Sequence, residues 1–174
     1  MSEPQLILRR ANLNNLPTLD LPSGLTLHTH EEGREKEWEE LIEAAFGHKY
    51  SFDKFIRNGG GYKPEYVFYI AKDGKDIATA TAIENEKYPG EGWFRMVGTH
   101  PEARGQGAAK RVMIAALHSL KERGYESALL STDDRRIPAI SLYLSLGFEP
   151  YMTHESHKLR WKAVMEAVNS ARKK

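Results

Sequence analysis

Apolar positions recur along this chain with two periods, and the places where the period changes mark its elements. Leu25 to His30 alternates as a half-buried strand does. Trp38, Leu41, Ile42, Ala45 and Phe46 instead fall three and four apart, the spacing of one helical face, and Gly47 stands where that helix would end. Ser51 is positioned to cap a shorter helix reaching about Asn58, beyond which the run NGGG stops regular structure. Two apolar runs, Tyr66 to Ala71 and Asp76 to Ile83, are joined by KDGK, whose Asp73-Gly74 pair predicts a tight antiparallel hairpin. Trp93 to Thr99 extends this meander by one strand. Ala109, Val112, Met113, Ala116, Leu117 and Leu120 then form one stripe of a long helix that Gly124 terminates. The buried run Ser127 to Thr132 predicts a strand, Pro138 opens a helix that closes at Gly147, and Ser156 caps a last helix with Trp161, Val164, Met165 and Val168 on one face.

Residues 1 to 23 break this order with three prolines and the stretch ANLNNL, which predicts an arm laid over the domain or partly disordered. One α/β domain, residues 24 to 174, follows it and ends in the C-terminal helix. A chain of 174 residues suits one core. The balance of 25 Lys+Arg against 24 Asp+Glu, a net charge of +1, gives no reason to expect nucleic acid or an anionic membrane as partner. No apolar run approaches the roughly 18 residues that span a bilayer, and the N-terminus has no signal-peptide pattern, so the cytoplasm is the expected compartment. The count of zero cysteines excludes disulfides, thiolate metal sites and a cysteinyl intermediate together. His28 with His30 and His154 with His157 lack a third ligand in pattern, so no metal is expected.

One connection bears more on chemistry than the rest: VGTHPEARGQGAAK, residues 97 to 110, where a strand gives way to the long helix. The first amides of a helix have no intrahelical partner, and the macrodipole adds the equivalent of about half a positive charge there. Gly105 and Gly107 let those amides approach an anion, Ala108 and Ala109 stay small, and Arg104 and Lys110 add charge. The same residues also suit a plain tight connection between strand and helix. Neither the Gly-Lys-Ser/Thr ending of a nucleotide P-loop nor a complete GxGxxG is present, which leaves the diphosphate of another carrier.

At this point the chain resembles the GNAT acetyltransferase superfamily, whose acetyl-CoA motif, Gln/Arg-x-x-Gly-x-Gly/Ala after a strand, matches Arg104, Gly107 and Ala109 in RGQGAA. PAISLYLSLGF, Pro138 to Phe148, is similar to the family's later helix, with Tyr143 and the closing Gly147-Phe148. The resemblance implies a mixed, mainly antiparallel central sheet flanked by helices and acetyl-CoA as acyl donor. It also implies that Val97, Gly98 and Thr99 offer strand backbone to the pantetheine arm, while Arg104, Gly105, Gln106, Gly107, Ala108, Ala109 and Lys110 wrap the pyrophosphate. Many relatives have asparagine at the position of Arg136, whose guanidinium either reaches the donor or is an exposed charge.

The implied reaction is direct transfer of acetyl to an amine of a small molecule or peptide, by a monomer or a homodimer. An alkyl amine with a pKa near 10.4 must lose a proton first, at roughly 4–5 kcal/mol at pH 7. Glu84, Glu86 and Glu91 flank strand ends and are candidate bases, Glu84 foremost because it follows a buried strand; each also reads as a solvated loop carboxylate. A backbone N–H near Val97 or Gly98 is the expected oxyanion donor, and Tyr143 the acid for the departing thiolate, unless it serves packing alone. Transfer of another acyl chain, a hydroxyl acceptor, or CoA binding without catalysis are the alternatives.

Overall fold

The computed structural model describes residues 3–174. Seven strands form one sheet: β1 (Leu6–Arg10), β2 (Leu25–Thr29), β3 (Val67–Lys72), β4 (Lys75–Glu84), β5 (Gly92–Thr99), β6 (Ala128–Thr132) and β7 (Glu149–Tyr151), in the spatial order β2-β3-β4-β5-β6-β1-β7. Every pairing is antiparallel except β5 with β6. Four helices, α1 (Glu35–Phe46), α2 (Ala108–Glu122), α3 (Ile137–Ser145) and α4 (His157–Arg172), cover it. None is long and apolar enough to cross a membrane.

The hairpin between β3 and β4 turns through Asp73 and Gly74, both at positive φ (49° and 83°), as a two-residue turn between twisted strands requires. Alternation then sorts the sheet's two faces. Phe68, Ile70, Ala78, Ala80 and Ala82 meet Val112, Met113 and Leu117 of α2, so the small residues of β4 make room for that helix. On the opposite face Val67 and Tyr69 join Trp38, Leu41 and Ile42 of α1 and the buried Phe52 and Ile56. Ser51 accepts from the Lys54 N–H at 3.3 Å and so does cap the short helical turn Asp53–Arg57. Ser156 does not cap α4; its hydroxyl accepts instead from the Arg160 guanidinium.

The expected N-terminal arm is corrected most. Leu6 to Arg10 enters the sheet between β6 and β7, and Leu6 and Leu8 are 0% exposed. Leu6 and Leu8 join the α2-side core, while Ile7 packs with Trp93 and Leu129 on the other face. The prolines flank this five-residue run and do not interrupt it. Residues 13 to 20 do behave as an arm: Leu13 is buried, and His118 of α2 contacts the Pro17 carbonyl at 2.8 Å.

Candidate active site

The site arises where the sheet fails to zip. Parallel strands β5 and β6 are paired only at Gly92 with Ala128 and Trp93 with Leu129, after which they diverge. At the joined end Glu91 accepts from Arg9 Nε at 2.6 Å and Ser127 Oγ at 2.9 Å. On its other side β5 shifts register against β4: Thr81 faces Arg95, but Thr79 faces Gly98, leaving Met96 and Val97 without partners in the register. This is a β-bulge, and Met96 takes a left-handed conformation (φ 55°) to make it. Met96 and Val97 therefore have no partner in the β4 register, and on the other side β6 has already diverged.

Two cavities open from the gap. One, of about 600 Å³, is lined by Val97, Gly98, Thr99, Arg104, Gly105, Gly107, Ala108, Ala109 and Lys110 together with residues of α3. The other, of about 540 Å³, is lined by Phe46, His48, Tyr50, Phe55, Trp93, Arg95, Asp133 and Arg135 among others. Ala45, Val97, Arg136 and Tyr143 border both. Of the residues the sequence nominates, Gln106, Glu84, Glu86 and Glu91 are not among either lining.

At the first cavity, α2 begins after Gly107, whose φ of 79° suits glycine. The Arg111 N–H returns to the Gly107 carbonyl, so the amides of residues 108 to 110 lie ahead of the first intrahelical bond. An elongated anion fits here. Arg104, however, spends one Nη on the Ala45 carbonyl at 2.9 Å, satisfying the C-terminal turn of α1. Gln106 turns outward, accepting from Lys72 Nζ at 3.1 Å.

Tyr143 reaches the junction from α3. It is 7% exposed, and burial raises its phenol pKa above the ordinary 10.0 against the opposing charge of Arg136, so the hydroxyl is a proton donor at neutral pH. Arg136 lies over the Phe46 ring at 4.3 Å, which holds its guanidinium at the same junction. Glu84 lies elsewhere. Its carboxylate accepts from the Tyr125 hydroxyl at 2.5 Å, on the exposed margin beside Arg123. Side chains alternate along β4, so Glu84 shares the α2 face with Ala82, and it pairs with Gly92 at the end where β5 and β6 are still joined.

The histidines of the two sequence pairs are engaged in the scaffold. His28 meets Asp76 at 2.5 Å, and His154 bonds Ser156. His30, Glu32 and Glu35 cluster within reach of one another, but the Arg57 guanidinium already bridges Glu32 at 2.8 Å, Glu35 at 2.5 Å and Asp53 at 2.7 Å. Asp134 anchors α4 through Arg160, whereas Asp133 faces the second cavity and accepts from Gln5 Nε2 at 3.1 Å. Sequence patterns alone do not single out Arg95, His48 or Tyr50, because they become neighbours only through the α1 side of the sheet.

A family model described as the acetyltransferase (GNAT) family matches residues 28–148. A mycothiol acetyltransferase of Thermomonospora curvata is 31% identical over 144 residues, which is 78% of this chain and 48% of that protein. Another, from Thermobispora bispora, is 30% identical over 153 residues, covering 81% and 52%. The chain thus spans about half the length of these relatives. Its fold is shared with a GCN5-related N-acetyltransferase from Sphaerobacter thermophilus (TM-score 0.67, 24% identity, 86% of this chain and 50% of that one). It is also shared with the ribosomal-protein-S18-alanine N-acetyltransferase of Escherichia coli (TM-score 0.62, 22% identity, 74% and 79%).

Proposed function

Because this chain belongs to the acetyltransferase (GNAT) family, we propose that it transfers acetyl from acetyl-CoA directly to an amine of a small molecule or peptide. The observation that carries this reading is the gap between β5 and β6, with helix-terminal amides at one mouth and a separate polar cavity at the other. Relatives bear names of both acceptor kinds, mycothiol for one and a ribosomal protein's alanine for another.

In this reading the amides at the start of α2 receive the pyrophosphate, where dipole and unpaired N–H groups favour negative charge. The pantetheine arm lies along Val97 to Thr99, and the thioester reaches the junction bordered by Val97 and Tyr143. The amine, entering from the second cavity, forms its bond to the carbonyl carbon as the C–S bond breaks. Negative charge gathering on the carbonyl oxygen is met by a main-chain N–H near Val97 or Gly98, in the bulged part of β5. The electron pair leaves on sulfur, and Tyr143 supplies the proton. The amine's proton departs toward His48 or Asp133, which line the acceptor mouth; Glu84 takes no part.

With no cysteine in the chain, a thiol reagent reads released CoA without background from the protein. Calorimetry with acetyl-CoA, followed by thiol release across a panel of amines, is expected to give saturable binding and amine-dependent CoA. Absence of binding would overturn the proposal.

A further inference from the structure

We infer that the acceptor is an amine carrying a carboxylate, of the amino-acid class, and that Arg95 is the residue that receives this carboxylate; the inference rests on the acetyltransferase reading above. Arg95 lies on β5 opposite Thr81, immediately before the bulge, and lines the second cavity but not the one beside the phosphate loop. It is therefore on the acceptor's side of Val97.

Its seat is built from main chain. One Nη donates to the Phe55 carbonyl at 3.1 Å, and a Cβ at Gly59 would stand 3.1 Å from that same nitrogen, so glycine there lets the guanidinium lie against the turn. Arg9, Arg57 and Arg160 are matched by carboxylates (Glu91, Glu35 and Asp134), while Arg10 and Arg123 are bonded to main-chain carbonyls away from this cavity. Arg95 has no carboxylate within 4.0 Å among the described residues. A cation taken out of water without a counter-charge is destabilising, and a charged ligand that supplies one is held correspondingly well. Burial lowers the Arg95 pKa, the direction expected of a guanidinium still lacking its anion.

The surroundings favour the same ligand. Arg95, Arg135 and Arg136 line this cavity, against the single carboxylate of Asp133, which already accepts from Gln5. Phe46, Tyr50 and Phe55 form a wall of edge-to-face rings, at 5.9 and 5.0 Å between centroids, that lowers the local dielectric and strengthens an ion pair made against it. Arg95 and Val97 line the same cavity, so an ammonium-derived nitrogen near Val97 and a carboxylate on Arg95 belong to one small molecule or to one residue of a peptide. A guanidinium with one Nη committed to the chain still presents two N–H donors to the planar carboxylate.

The test compares amino acids with their carboxamides, which keep the amine and remove the charge, and with aminophosphonates of equal length. The expected result is a KM for the acids at least about tenfold below that for the amides, and a preference for carboxylate over phosphonate. In Arg95→Met the acid-to-amide difference disappears while the acetyl-CoA Kd stays within about twofold, and Arg95→Lys retains part of the preference as a point charge does. Should Arg95→Met not fold, the matched substrates on the unaltered protein and Arg95→Lys decide. Equal use of amides, a phosphonate preference, or a preference surviving in Arg95→Met overturns the inference. If acetyl-CoA binds and no carboxylate-bearing amine is acetylated, the inference alone falls; if acetyl-CoA does not bind, the acetyltransferase reading falls with it.

Discussion

In the proposed reaction Tyr143 concentrates the chemistry of the site in one hydroxyl. Because burial raises its pKa, the phenol remains protonated through neutrality, and deprotonation removes it as an acid only above pH 10.0. Replacing it by phenylalanine is expected to lower kcat about 100-fold, the lower end of what a positioned acid contributes, and to leave the acetyl-CoA Kd within about twofold. A pH–rate profile checks the sign: an alkaline loss near neutrality that vanishes in Tyr143→Phe would contradict it. At this scale the sequence is legible where a motif fixes a residue's neighbours and illegible where the sheet does. The placing of Tyr143, Gly105 and Gly107 beside one cavity was readable because the loop and the helix that hold them are local. The place of Glu84 was not, since it depends on pairing with Gly92 across the sheet, and Arg95 was silent because its neighbour Phe55 comes from a separate turn.

Among the elements, β5 has the largest influence on function. Its bulge requires Met96 to hold a positive φ, which costs an L-residue roughly 1–2 kcal/mol and more for a β-branched side chain. Met96→Val is therefore expected to lose about 1–2 kcal/mol in denaturant unfolding and to bind acetyl-CoA more weakly, whereas Met96→Leu, of similar volume and without the branch, stays close to the parent. Equal behaviour of the two variants would remove the conformational argument. Helices and the KDGK hairpin announce themselves through period and turn chemistry, both local signals. The bulge and the divergence from β6 do not, because GWFRMVGT reads as one apolar strand, and its irregularity appears only in its pairing with the strands on either side.

For the whole molecule, the strand at Leu6–Arg10 decides integrity. It fills the space between β6 and β7, so its loss would open two strand edges and remove three buried aliphatic side chains, each worth roughly 1.5–3 kcal/mol. That sum is comparable with the whole stability of a domain, about 5–15 kcal/mol. Deleting the first ten residues is expected to abolish cooperative unfolding by circular dichroism, where trimming a surface arm would leave the transition nearly unchanged. The strand was missed because five residues carry too short a pattern to outweigh the prolines and asparagines around them.

The divergence of β5 from β6 has a last consequence, for traffic. A slot entered from both faces of the sheet gives donor and acceptor their own doorways, so neither has to vacate the protein before the other arrives. In the proposed reaction they meet where Ala45, Val97, Arg136 and Tyr143 border both cavities, and the transferred group alone changes hands there.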